Sequence, residues 1–109
     1  MSDPIRFDPA TTGPLAGIRV IDLSRLVAGN MLSLQLGDFG ADVVKVEPPQ
    51  GDPLREWRED GHSLFWKAYG RNKRSVVLNL RKDGDMAALR ALLKSADVFI
   101  ENFRPGTLE

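Results

Sequence analysis

Four short runs rich in Val, Ile and Leu recur along the chain, with turn signals between them. They cover residues 18–23, 42–47, 75–80 and 97–101. Apolar and β-branched runs of this length are typical of strands. Pro48 and Pro49 end the second run, and Pro105 and Gly106 turn the chain after the fourth. The sequence therefore predicts four strands.

Segments with helical patterns lie between these strands. Residues 30–39 place apolar side chains at near-helical spacing, and Gly40 is suited to end a helix. Residues 83–94 begin with acids and end with Lys94, as the helix dipole favours. A helical turn is expected over 63–69. This alternation predicts an α/β fold with a Rossmann-like parallel sheet and flanking helices.

Length and composition restrict the class of protein further. The chain has 109 residues, 15 basic and 15 acidic side chains and no cysteine. One small domain is expected, with no net charge to attract nucleic acid or a membrane surface and no thiolate metal site. We expect a cytoplasmic protein without a membrane span. Residues 1–13 are expected to form a flexible leader, and 14–109 the incomplete N-terminal portion of a larger domain.

Ligands of open α/β sheets bind outside the carboxyl ends of the strands. The loops to inspect are residues 24–30, 48–61, 81–82 and 102–106. A classical dinucleotide site needs three glycines after the first strand, and this loop has only Gly29. The loop at 48–61 is long and charged, so we expect it to act as a lid or a contact arm.

The stretch from residue 62 to 82 contains six basic residues and no acidic one. They are Lys67, Arg71, Lys73, Arg74, Arg81 and Lys82. Such a run is either a solvated face beside a strand or a binding site for an anion such as phosphate. With the arginine in the turn after the fourth strand, it predicts two cationic edges that face one crevice.

Three segments, in their order and spacing, resemble the N-terminal part of the class III CoA-transferases. They read GDFGADVVKVE at 37–47, GRNKRSVVLNL at 70–80 and ENFRPG at 101–106. That family includes formyl-CoA and carnitine CoA-transferases and the α-methylacyl-CoA racemases. The resemblance covers the chain from about Pro14 onward. It departs at Asn30, where the family usually has proline, and asparagine there is expected to cap the helix.

The resemblance implies coenzyme A or acyl-CoA as a substrate, with no tightly bound cofactor and no metal. Val27 and Ala28 would bring backbone close to the ligand, and Arg81 would face phosphate. Leu78 and Phe103 would offer apolar surface to adenine, although ordinary core packing explains them equally well. The predicted CoA-binding residues are Val27, Ala28, Lys73, Arg74, Leu78, Arg81, Asn102, Phe103 and Arg104.

The resemblance also implies the chemistry of the parent protein. Family members transfer CoA from an acyl-CoA to a carboxylic acid through an aspartyl-CoA thioester. The nucleophilic aspartate is expected beyond residue 109, and the carboxylates of Asp22, Asp38, Asp42 and Glu47 have structural roles available. The parent is expected to be an interlocked homodimer. Alternatives are a racemase and a non-catalytic fragment that binds nucleotides or only assembles.

Overall fold

A computed structural model describes residues 12–108, and the predicted leader lies mostly outside the described residues. The chain forms β1 (Arg19–Asp22), α1 (Ala28–Asp38), β2 (Asp42–Glu47), a 3₁₀ turn (Pro53–Glu56), α2 (Leu64–Tyr69), β3 (Lys73–Val77), α3 (Asp83–Lys94) and β4 (Val98–Ile100). The predicted α/β class is confirmed. Strand β2 and helix α3 have the bounds predicted from the sequence.

The four strands form one parallel sheet in the order β3-β2-β1-β4. From β1 the chain proceeds to β2 and β3 on one side, and then returns to place β4 on the other side of β1. The direction of winding therefore reverses between β1 and β4. In open α/β sheets this reversal opens a crevice at the carboxyl ends of the strands.

Apolar side chains cover both faces of the sheet. On one face, Ile21, Val44 and Val46 form a buried cluster with Leu89 of α3. On the other face, Val20, Ala41, Val43 and Ile100 form a second cluster, against which Leu36 of α1 packs. Parallel sheets are normally covered on both sides, because their crossover connections place helices there.

Strand β3 differs from the prediction of 75–80. It begins at Lys73 and ends at Val77, so Leu78 and the residues after it leave the sheet. The reason lies in the neighbouring strand. Val77 is in register with Glu47, the last residue of β2. Pro48 follows Glu47, and because proline has no N–H group it cannot continue the hydrogen bonds between the two strands.

Helix α1 begins two residues earlier than predicted, at Ala28, so the expectation that Asn30 caps it is wrong. The helix has no side-chain cap at Val27. Asn30 lies inside the first turn and is fully buried, with its side-chain amide directed to the loop after β2. Tertiary contacts, not local capping, therefore fix this end of the helix.

The segment between β2 and α2 contains local structure. Asp52 accepts a hydrogen bond from Leu54 N and thereby caps the 3₁₀ turn, and Leu54 is fully buried. Glu59 and His62 form an antiparallel bridge farther along. Across residues 12–108, every helix is too short or too polar to cross a membrane.

Candidate functional site

A crevice lies at the carboxyl ends of the strands, where the loops after β1, β2 and β3 approach the segment after β4. Its cavity volume is about 730 Å³, which is within the range of small-molecule sites. The described residues that line it are Arg25, Pro48, Pro49, Gln50, Leu78, Asn79, Leu80, Arg81, Met86, Leu89, Phe103, Thr107 and Leu108. This lining combines apolar side chains with two arginines and includes no carboxylate.

The loops that follow β1 and β4 are joined by one side chain. Asn102 Oδ1 accepts a hydrogen bond from Arg25 N at 3.0 Å, and Asn102 Nδ2 donates one to Arg25 O at 2.9 Å. Both backbone polar groups of Arg25 are thus satisfied by Asn102. The amide of Asn102 therefore fixes the distance between the two loops that meet where the strand order reverses.

The loop between β1 and α1 is held in an unusual conformation at Leu26. Its φ is 64°, in the left-handed region, which costs a leucine about 1–3 kcal/mol. Leu26 N donates to Asp52 Oδ1 at 3.0 Å, and Leu26 O accepts from the amide of Asn30, which also donates to Asp52 Oδ2 at 2.9 Å. Asp52 and Asn30 together compensate the strain and position the backbone that continues to Val27 and Ala28.

A buried network of charged groups supports this loop from below. Lys45 Nζ lies 3.4 Å from Asp22 Oδ1 and 3.1 Å from Asp52 Oδ2, and all three side chains are inaccessible to solvent. Lys73 Nζ lies 3.8 Å from Asp22 Oδ2 and donates to Asn30 O at 2.8 Å. Burial lowers the pKa of Lys73 to about 8, although Asp22 opposes the shift. Buried charges persist only when they are paired, so this network is a fixed part of the site's support.

A second charge cluster holds the loop after β2. Glu47 is buried and accepts hydrogen bonds from Arg55 Nε at 2.7 Å, Arg55 Nη2 at 2.8 Å and Asp52 N at 2.9 Å, as well as from the Ser75 hydroxyl. Arg55 also lies over the ring of Trp66, 3.9 Å from its centroid. This chain of contacts ties the end of β2 to helix α2 and fixes the direction in which Pro48 leaves the sheet.

The structure brings some of the predicted site residues together. Leu78, Arg81 and Phe103 line the crevice. Val27 and Ala28 follow Leu26 directly at the start of α1, so the Leu26 contacts fix their backbone. Asn102 lies between the two loops as described above, whereas Arg104 is exposed and lies outside the lining.

The prediction of two cationic edges facing one crevice is wrong. Lys73 and Arg74 begin β3, at the opposite end of the strand from the crevice. Arg74 Nη2 is 2.7 Å from Asp42 Oδ1, Arg71 Nη2 is 2.8 Å from Asp38 Oδ2, and Lys73 is buried against α1. Because β3 is parallel to its neighbours, the basic residues before and after it are at opposite ends of the sheet. Of the basic run, only Arg81 lines the crevice.

Arg25 lines the crevice but is absent from the site residues predicted from the sequence. It is half-buried in the crevice, with its guanidinium 5.4 Å from the centroid of the Phe103 ring. Burial lowers the pKa of Arg25, while Asp52, Asp22 and Glu47 oppose the shift by their charge. The sequence contains a signal for it, since Arg25 follows β1 in a loop that the strand order brings to the carboxyl end of the sheet. It lies outside the basic run, however, on which the predicted phosphate site rests.

The chain matches the family described as "CoA-transferase family III" over residues 15–109. The chain belongs to this family. Family III relatives include the succinyl-CoA–D-citramalate CoA-transferase of Chloroflexus aurantiacus, 46% identical over 100 residues, and the succinyl-CoA–L-malate CoA-transferase beta subunit of the same organism, 50% identical over 103 residues.

These comparisons also place the chain within its family. The match covers 88% of the chain and 25% of the citramalate transferase, and 91% of the chain and 25% of the malate transferase subunit. A CaiB/BaiF family protein from Brucella suis superposes with a TM-score of 0.85 at 38% identity, covering 90% of this chain and 28% of that one. The family III chain therefore spans about a quarter of the length of these relatives and corresponds to their N-terminal segment.

Several carboxylates of this family III segment make structural contacts. Asp22 and Asp52 are paired with lysines, Glu47 with Arg55, and Asp42 with Arg19 and Arg74. Asp38 is paired with Arg71. The expectation of structural roles is thus confirmed for Asp22, Asp38, Asp42 and Glu47. No carboxylate is among the described residues that line the crevice, whose charged side chains are Arg25 and Arg81.

Proposed function

We propose that this chain forms part of the CoA-binding domain of a class III CoA-transferase and that its crevice receives the adenosine end of CoA. One observation carries the proposal. A cavity at the reversal of strand order combines apolar walls, at Leu78 and Phe103, with the cations Arg25 and Arg81, and its described lining has no acid. Apolar surface suits an adenine ring, and guanidinium groups suit phosphate.

The proposed reaction of the whole protein moves CoA from an acyl-CoA to a carboxylic acid through an aspartyl-CoA thioester. In such a reaction an aspartate carboxylate oxygen attacks the acyl carbon and displaces the CoA thiolate, which leaves a mixed anhydride. The thiolate then attacks the aspartyl carbonyl and displaces the donor carboxylate, which leaves the aspartyl-CoA thioester. The acceptor carboxylate repeats the two steps in reverse and departs as its CoA thioester, with the aspartate regenerated. The aspartate would lie outside this segment. The names of the relatives favour a transferase over a racemase, and several of them use succinyl-CoA. An interlocked homodimer and a cytoplasmic location stay predictions.

Within the site, each proposed residue has a distinct task. Leu78 and Phe103 would contact adenine, Arg81 would bind phosphate, and the backbone of Val27 and Ala28 would approach the ligand. Arg104 is exposed beside Phe103 in the chain and would reach a phosphate from outside the lining. Lys73 and Arg74 are engaged with Asn30 and Asp42 and would act only through the sheet.

Calorimetric titration of the full-length protein with CoA tests the proposal. An Arg81→Ala, Arg104→Ala double variant is expected to weaken binding by about 10-fold or more, since charge-assisted hydrogen bonds to phosphate would be lost. An Arg90→Ala, Lys94→Ala variant is the matched control, because it removes the same charge from the exposed face of α3.

Two results would refute the proposal. If the folded wild-type protein shows no saturable binding of CoA, the crevice is not a CoA site. If both double variants bind CoA with the wild-type Kd, the phosphates lie elsewhere. Binding that is weakened only in the Arg81 and Arg104 variant supports the assignment. The non-catalytic alternative requires that the full-length protein bind CoA without transferring it to any carboxylic acid.

A further inference from the structure

Arg25 lines the crevice, and several contacts hold its side chain in place. Its Nη1 donates to Leu23 O at 2.6 Å, Ser24 O at 3.0 Å and Val46 O at 2.9 Å, so it caps the ends of both β1 and β2. Its backbone is fixed by Asn102, and its guanidinium lies near the Phe103 ring. Such a side chain loses little conformational entropy when it binds a ligand.

The remaining donors of the Arg25 guanidinium are not used within residues 12–108. Nε and Nη2 of Arg25 make no hydrogen bond to any of these residues, whereas Nη1 makes three. A guanidinium carries five N–H donors in a planar fork that matches the oxygens of phosphate. The side chain lines the cavity, so these donors are placed where a ligand would lie.

Arg25 differs from the neighbouring cations in having no carboxylate as an ion-pair partner among the described residues. The buried acids beneath the loop are Asp22, Asp52 and Glu47, and the cations in contact with them are Lys45, Lys73 and Arg55. These six charges sum to zero. Among the described residues, no carboxylate lies within ion-pair distance of Arg25. Its charge is attracted only at longer range by the same three acids.

A half-buried cation without a partner is electrostatically unfavourable, and a bound anion would relieve that cost. The three acids are already neutralised, so an anion that enters the crevice would meet a net positive site formed by Arg25 and Arg81. We propose that Arg25 binds a phosphate group of the CoA ligand directly, with Nη1 fixed on the strand ends and Nε and Nη2 directed to the phosphate oxygens. This inference rests on the proposed function and adds a ligand-binding residue to it.

The test uses the full-length protein and CoA as the probe, with Kd measured by calorimetry at several salt concentrations. The Arg25→Met variant keeps an apolar stem over Phe103 and removes the charge, and Arg25→Lys keeps the charge without the fork. Arg90→Met, on the exposed face of α3, is the matched control. Circular dichroism and urea unfolding establish that each variant is folded before it is titrated.

We expect Arg25→Met to raise the Kd for CoA by about 10- to 100-fold, the range for one charge-assisted hydrogen-bonding group. We also expect the variant to show a shallower dependence of log Kd on log salt, because one phosphate contact is lost. Arg25→Lys should retain the wild-type salt dependence with an intermediate Kd. If Arg25→Met is unfolded or binds too weakly to measure, Arg25→Lys decides the matter through its own salt dependence.

Three results overturn the inference. They are a wild-type Kd in Arg25→Met, a raised Kd in Arg25→Met together with the wild-type salt dependence, and a folded Arg25→Lys that does not bind CoA. The second result would mean that Arg25 only holds the strand ends together. A wild-type protein that fails to bind CoA would instead refute the proposed function, so the two failures are distinguishable.

Discussion

Replacing Glu47 by glutamine should remove the part of the fold's acid sensitivity that comes from this carboxylate. Burial alone would raise the pKa of Glu47, but hydrogen bonds from Arg55, Ser75 and Asp52 N outweigh it and lower the pKa to about 2, from an ordinary value of 4.5. Each pH unit of such a difference corresponds to about 1.4 kcal/mol. The ionised carboxylate therefore stabilises the folded state by about 3 kcal/mol at neutral pH.

The sign of the pH dependence follows from the lowered pKa. The unfolded chain takes up the proton near pH 4.5, and the folded chain only near pH 2. Stability from this group is complete above pH 4.5 and is lost as the pH falls through that interval. The Glu47→Gln variant should be less stable than wild type by about 3 kcal/mol at pH 7, and the difference should largely disappear near pH 2.

Urea unfolding followed by far-UV circular dichroism, at pH 7, 4 and 2.5, measures this difference. Glu56→Gln is the control, because Glu56 is an exposed acid in the adjacent 3₁₀ turn. Its free energy of unfolding should change by less than about 0.5 kcal/mol at each pH. If Glu47→Gln lowers stability by the same amount at pH 7 and at pH 2.5, the loss comes from the fit of the amide and not from the charge, and the reasoning is refuted.

Three further perturbations test the packing around the site. Gly29→Ala places its Cβ 2.1 Å from Ser24 Cβ and should lower the free energy of unfolding in urea by about 3 kcal/mol. A Cβ at Gly84 in α3 meets nothing within 4 Å, so Gly84→Ala should raise that free energy by about 0.5 kcal/mol. Equal effects of the two substitutions would contradict the clash at Gly29. The pKa of Lys73 is lowered to about 8, so wild-type stability should rise relative to Lys73→Met between about pH 8 and 10.5. A constant difference across that interval would show that the folded state does not lower this pKa. Leu89→Ala should lower the free energy of unfolding by about 2–5 kcal/mol in thermal or urea melts, because Leu89 is buried in the core beneath the crevice. A loss under about 1 kcal/mol would indicate a loosely packed core.

Arg25 and Asn102 suggest how the crevice is kept open in the absence of a ligand. The amide of Asn102 bridges the two loops through Arg25, and Arg25 Nη1 joins the ends of β1 and β2. Asp52 and Asn30 then hold Leu26 in its left-handed conformation. Hydrogen bonds from polar side chains to backbone groups therefore fix the positions of these loops. A preorganised site of this kind lowers the entropic cost of binding.

Local patterns in the sequence determined the elements and the fold class. Residues 83–94 predicted α3 exactly, because apolar spacing, acids at the start and Lys94 at the end act within the helix itself. Residues 42–47 predicted β2 for a similar reason, since Pro48 ends the strand locally. The order of three family segments predicted the family. Each of these signals depends on residues that are close in the sequence.

Only the tertiary structure decided which side chains meet in the crevice. The parallel direction of β3 places Lys73 and Arg74, at its start, away from the site and leaves Arg81, after its end, beside it, although all three belong to one basic run. Asn30 supports the loop through Asp52, 22 positions away, and Arg25 is bound by Asn102, 77 positions away. Sequence periodicity has no information about such contacts, because they arise from the alignment of strands and the packing of loops rather than from local conformational preference.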